Sequence, residues 1–397
     1  MDHFAPSRRH FMGLLGVTAA AAFAPLRATD VRLPFDNGER LMVDGFEGKG
    51  PMILQRTRAP LLETPFEVYD RGLITPVDRF YVRWHTASTP RQIDVSTFRL
   101  NVHGHVEREL SLTLADIASL PAREVTAVSQ CAGNSRGLFD PRVPGAQWGN
   151  GAMGNAVWRG VSLRQVLDRA GLKAGSVAIR FRGLDAAPPQ FGKSLGVDVA
   201  RNDDVLLATH MNGQPLPWVH GFPLRLVVPG WFATYWVKTV SDIEVLTVED
   251  DNYWMAKAYR VPATPDGNTT PGAPAVATTP ISTMPPRSFV TNLRDGDRLR
   301  AHRLQVIRGI AFSGKAAVRR VEWSNDGSSW RRCSLDTEGG AYGFRRWHAQ
   351  MPVGSPGQQR LLVRAADAAG NVQPLTAGWN PGGFMRNAVE SLNLVVT

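Results

Sequence analysis

Cysteine is nearly absent: 397 residues hold only Cys131 and Cys333. No Cys-x-x-Cys-His sequence occurs, which excludes covalently attached c-type haem, and no cysteine pair has zinc-site spacing. A disulfide between the two would have to join distant parts of the chain and is not expected. No apolar run is long enough to span a bilayer, so membrane insertion is not expected either. The formal net charge is +10, yet the basic residues are scattered and form no Lys/Arg run or known nucleic-acid motif. That balance favours small anions, an anionic cofactor or an acidic protein over nucleic acid.

The 38 glycines, 28 prolines and 11 tryptophans predict a turn-rich, largely β molecule, and the length predicts two domains. Ser7, Arg8, Arg9 and Phe11 precede an apolar stretch ending at Pro25. This pattern predicts a twin-arginine signal over 1–28, export in the folded state and a periplasmic location.

Residues 60–262 read as a first domain that mixes strands with a few helices. Strands are expected at 79–86, 98–106, 176–185, 224–231 and 236–246, and helices at 112–120 and 162–172, the second closed by Gly171. Residues 263–286 are dense in Pro, Thr and Ala and read as a surface linker. Residues 287–397 return to strands at sandwich spacing, with a hairpin turn at Asn325-Asp326-Gly327, and read as immunoglobulin-like.

Cys131 sits in S-Q-C-A-G-N-S-R-G, among small and polar residues instead of the aliphatic company of a core thiol. On these residues alone it is a ligand or nucleophile, or else a plain buried thiol. One thiolate is too few for a structural metal site unless a cofactor brings the other ligands. His103 and His105 alternate along a strand and read as solvated, while Trp231, Tyr235 and Trp236 read as packing residues.

The phrases S-Q-C-A-G-N-S-R-G, R-F-Y-V-R-W-H, M-N-G-Q-P-L-P…H-G-F-P-L-R-L-V-V-P-G-W and W-V-K together resemble the sulfite oxidase family of molybdenum enzymes. W-N-P-G-G…N is similar to its C-terminal signature. The likeness runs from about residue 60 to the C-terminus and is greatest to bacterial periplasmic sulfite dehydrogenases. It implies an α+β fold: a mixed α/β molybdopterin-binding domain followed by an immunoglobulin-like β-sandwich dimerisation domain.

The resemblance implies that Cys131 ligates molybdenum and that Arg83 and His85 lie beside metal and pterin. Asp185, His220, Arg225 and Lys238 match pterin and phosphate contacts, Arg136 matches an arginine of the anion pocket, and Tyr259 matches a tyrosine aimed at substrate. Animal enzymes have an arginine two residues after Trp-Asn. Here glycine follows Trp379-Asn380-Pro381, and Arg386 is expected to reach the same pocket. Arginine forks suit a small oxyanion better than flexible ammonium groups do. The implied activity is oxidation of sulfite to sulfate at a molybdenum–molybdopterin cofactor, in a homodimer. No haem is expected in the chain, so a separate c-type cytochrome would take the electrons. The alternatives are a sulfane dehydrogenase of a thiosulfate-oxidising complex, a sulfoxide reductase, or a binding module without catalysis.

Overall fold

The computed structural model describes residues 28–32, 39–185, 187–336 and 340–397. Apart from Ala28, the expected signal segment lies outside the described residues. No helix among the described residues is long and apolar enough to cross a membrane.

Three sheets build the first part of the molecule. The first is antiparallel and runs through Ala28–Arg32, Glu39–Val43, Met52–Arg56, Leu61–Glu63 and Val82–Arg83. Three of its strands lie upstream of residue 60, where the sequence places no domain. The strand expected over 79–86 is only Val82–Arg83, because Val77–Arg79 form a 3-10 turn and the chain bends from His85 onward.

The second sheet is ordered Gly192–Gly196, Ala178–Gly183, Val240–Leu246, Leu100–Gly104 and Leu110–Leu112. Its one parallel pairing joins Val240–Leu246 to Leu100–Gly104. The third sheet carries Gln214–Pro215, Leu206–Met211, Met153–Ser162 and Ala122–Gln130, with Arg225–Val227 paired to Leu206–Met211. Helices are few and short. Thr113 caps Leu114–Ala118 in a reciprocal box with Asp116. Leu163–Ala170 ends on Gly171, whose φ of 72° lets its N–H reach Leu167 O. The architecture is α+β, as the sequence predicts.

The C-terminal part is a sandwich of a four-stranded and a five-stranded sheet around Ile307, Trp323, Trp347, Leu361 and Leu394. Ser324 and Asp326 side chains tie the 325–327 turn, with Gly327 at a φ of 80°. The expected linker is only partly a surface strap. Residues 270–279 are exposed, but Thr278–Pro280 pairs with Arg260–Pro262, and Ile281 and Met284 are buried in the first core. The sandwich also packs on that core through Phe289 against Phe66 and Phe344 against Tyr69.

Candidate active site

Cys131 emerges at the end of the nine-residue strand Ala122–Gln130. Its N–H donates to Ala152 O and its carbonyl accepts from Asn134 N–H, both at 2.9 Å. The Asn134 side-chain oxygen accepts from Ala152 N–H at 2.9 Å, which closes the turn on itself. Behind it the buried Glu63 carboxylate accepts from Gly149 and Gly151 N–H at 3.0 and 2.9 Å. A thiol fixed by backbone on both sides is placed for one geometry. Both cysteines are free, so the pair forms no disulfide.

Cys131 lines a cavity of about 630 Å³, partly open to solvent. The same cavity is lined by Arg83, His85, Asp185, His220, Arg225, Lys238 and Tyr259. Most come from the ends of strands in the three sheets, with His220 in the 3-10 turn Trp218–His220 and Tyr259 just before Arg260–Pro262, so the topology assembles what the sequence scatters. The walls carry far more positive than negative charge. Lys238 Nζ donates to Arg83 O at 2.6 Å and lies 4.4 Å from the Trp84 ring centre. Arg225 donates to His220 O at 3.0 Å and lies over Trp158.

Lys49, which the sequence did not mark, sits 2.6 Å from His220 Nε2 and donates to Phe80 O at 2.8 Å. Burial drives Lys49 down to about 7 and Arg225 down to about 10, and holds His220 and Lys238 well below their usual values. Among the described residues Asp185 is the one carboxylate on the cavity wall, and burial raises it to about 6. Arg83 Nη1 and Arg225 Nε are buried with no hydrogen-bond partner among the described residues. Buried cations with unused N–H groups call for an anion with several acceptor oxygens.

The second half of the site is a stack of rings. His85 Nε2 lies 2.6 Å from Tyr259 Oη, and Phe191 stacks on His85 at 3.6 Å. Burial, then the charges of Arg83, Lys238 and Lys193, hold His85 well below its usual value, while burial raises Tyr259. Phe384 stacks on Tyr259 at 5.4 Å, and the Arg136 guanidinium lies 5.0 Å from the Phe384 ring centre. Arg136 therefore reaches the site through an aromatic ring and does not line the cavity. Its Nη2 donates to Gly382 O at 3.1 Å, and its side chain occupies the space that Cβ atoms at Gly133 and Gly383 would fill.

Arg386 departs from expectation. It approaches Glu390 Oε1 at 3.3 Å and lines a separate recess of about 640 Å³ with Asp140 and Arg142. Glu390 holds it there, so it does not complete the Cys131 cavity. Of the glycines after Asn380, Gly383 makes room for Arg136 and Gly382 for the Phe384 ring. His103 also has a structural duty: it bonds Asp242, whose carboxylate is shared with Arg182.

Residues 86–254 match the model of the oxidoreductase molybdopterin binding domain, and residues 278–394 match that of the Mo-co oxidoreductase dimerisation domain. The chain is 35% identical over 345 residues to the sulfite oxidase of Gallus gallus, covering 82% of this chain and 74% of that protein. The chain belongs to the sulfite oxidase family. The mitochondrial sulfite oxidase of Homo sapiens is 35% identical over 355 residues, 84% of this chain but 64% of that protein. Among solved structures, the sulfane dehydrogenase SoxCD from Paracoccus pantotrophus matches with a TM-score of 0.73 at 27% identity, over 85% of this chain and 84% of that one.

The residues present fit the cofactor that a sulfite oxidase family domain binds. The unpartnered N–H groups of Arg83 and Arg225, the surplus of buried cations and a single backbone-fixed thiol suit a polyanionic group that brings its own sulfur ligands. Lys49, Phe191, Lys193, Trp254 and Phe384 belong to the site and went unmarked in the sequence. Lysine between two glycines and isolated aromatics carry no pattern of their own. Only Trp254, beside Tyr259 in the same Y-W-M-A-K-A-Y segment, gave a local signal.

Proposed function

We propose that the protein is a molybdenum-dependent sulfite dehydrogenase that oxidises sulfite to sulfate. In this reading it is exported folded by the twin-arginine route, works in the periplasm as a homodimer and passes electrons to a separate c-type cytochrome. The observation that carries the reading is one cavity holding the Cys131 thiol, unpartnered buried guanidinium N–H groups and the His85–Tyr259 pair.

Cys131 would ligate the metal, and Arg83, His85, Asp185, His220, Arg225 and Lys238 would hold the pterin and its phosphate. When bound, the cofactor supplies the two-electron oxidation chemistry. Arg83 offers a buried, unused N–H to an anion entering the cavity. Arg136 adds positive potential from behind Phe384, which eases charge development in the cavity without occupying it. Tyr259 Oη keeps its proton, because burial raises the phenol, and neutral His85 Nε2 lies close enough to take it. Oxidation of sulfite with one water yields sulfate, two electrons and two protons, so a paired phenol and imidazole at the cavity wall have work to do.

Molybdenum analysis followed by sulfite-dependent reduction of cytochrome c tests the reading. About one molybdenum per chain and turnover with sulfite are expected. Protein without molybdenum, or molybdenum-loaded protein inert to sulfite, would overturn it. The likeness to SoxCD favours one second reading, oxidation of a sulfane sulfur, and turnover on such a substrate but not on sulfite would select it.

A further inference from the structure

We propose that Lys193 is a positioning residue whose buried cation fixes Tyr259 against His85, through the Trp254 carbonyl and the faces of Tyr235 and Tyr259. The inference rests on the reading of Tyr259 as the proton-holding group of the site.

Lys193 stands on the strand Gly192–Gly196 opposite Phe181 and is fully buried. Its ammonium donates to Trp254 O at 2.8 Å and lies 4.7 Å from the ring centre of Tyr235 and 5.5 Å from that of Tyr259. Among the described residues no carboxylate forms an ion pair with it. Asp250 is near enough to act on its charge, but that carboxylate is bound by Arg180, Ser194 and Asn252. An ammonium buried without a carboxylate is costly, and burial lowers Lys193 to about 7; the Trp254 carbonyl and two tyrosine faces are the compensation among the described residues.

What the cation touches is what the site needs held. Trp254 meets His85 edge-on at 5.3 Å and Phe191 at 5.1 Å, so its backbone anchor governs how the histidine is boxed in. Tyr259 has a φ of 56°, a conformation that a bulky residue keeps only when its surroundings impose it. Tyr235 is tied from the other side, donating to Ile281 O at 2.5 Å. Lys193 thus joins three elements around one phenol. The charged and titratable groups that face it are Asp250, Arg260, Tyr235, Tyr259 and His85.

The test uses molybdenum-loaded enzyme with sulfite as substrate and the variants K193M, K193R and K193Q, each also combined with Y259F. K193M should lower kcat at least tenfold at unchanged molybdenum content, and K193R should recover most of it. The acid limb of the pH profile should move to higher pH, since one of the charges holding His85 down is gone. In the Y259F background K193M should cost less than twofold. In metal-free protein carrying 13C-labelled tyrosine, six ring signals are expected, and K193M should displace the two that Y235F and Y259F identify. A K193M rate within twofold of the parent, an equal loss in both backgrounds, or unmoved tyrosine signals overturns the inference. If K193M does not fold, K193Q at the parental rate does the same. A Y259F enzyme at the parental rate fells the underlying reading of Tyr259 instead, and the Lys193 inference with it.

Discussion

Arg287 donates to the Ser135 hydroxyl at 3.1 Å and so fastens the sandwich to the turn that carries Cys131. The same guanidinium donates to Glu390 Oε1 at 2.7 Å, and both side chains are buried. Removing the arginine leaves a buried carboxylate with, among the described residues, only Arg386 paired to it. Arg287→Met should therefore destabilise the protein by about 3 kcal/mol, the low end for a broken buried pair. Urea unfolding measures this, and molybdenum content should fall with it because the Cys131 turn loses its brace.

Cys131→Ser keeps the size of the side chain and its backbone bonds to Ala152 and Asn134. The proposed ligand role predicts loss of sulfite turnover by more than about 100-fold and one fewer sulfur neighbour at molybdenum by X-ray absorption, with thermal stability of the metal-free chain nearly unchanged. Turnover close to the parental rate would return Cys131 to the status of a buried thiol.

Arg136 and Arg386 offer the sharpest contrast between expectation and structure. Arg136 stacks on the ring that stacks on Tyr259, whereas Arg386 faces another recess and is engaged by Glu390. Arg136→Ala should raise KM for sulfite and lower kcat, by about tenfold or more in kcat/KM. Arg386→Ala should change kcat/KM far less, with its effect appearing in stability. A larger catalytic loss at Arg386 would mean that its side chain swings into the Cys131 cavity during turnover.

The residues that group around Cys131 were legible where they sit in dense local phrases. R-W-H, H-G-F-P-L-R and W-V-K each place a cation next to an aromatic or a tight turn, and the fold brings them to one wall. The helix closed by Gly171 and the turn at Asn325-Asp326-Gly327 were legible for the same reason, since short-range backbone chemistry sets them. Lys49, Phe384 and Lys193 were not, because each acts only through a contact with a residue far away in the chain. Arg386 was misplaced for the converse reason: nearness in sequence to Gly383 says nothing about Glu390, four residues further on at the start of the last strand, competing for its guanidinium. The early strands failed to register because residues 39–63 are rich in Pro, Gly and charge and pair only in the context of the sheet.

Lys49 gives the site a pH signature that needs no substrate. Burial lowers it from 10.5 to about 7 and Asp78 opposes that only in part. A depressed lysine stabilises the fold fully above its unfolded value, and that contribution is lost as pH falls through the folded one. Cofactor-free protein should therefore lose stability between about pH 10.5 and pH 7, by at most about 1.4 kcal/mol per pH unit from this group. Lys49→Met gives up the bond to Phe80 O at every pH but escapes this slope, so its stability relative to the parent should improve steadily as pH falls. Urea midpoints at pH 7 and pH 9.5 check the sign. An anionic cofactor beside His220 would favour the charged lysine, so the loaded enzyme should show a flatter dependence than the metal-free chain. An identical slope in both forms would place the anion's charge elsewhere in the cavity.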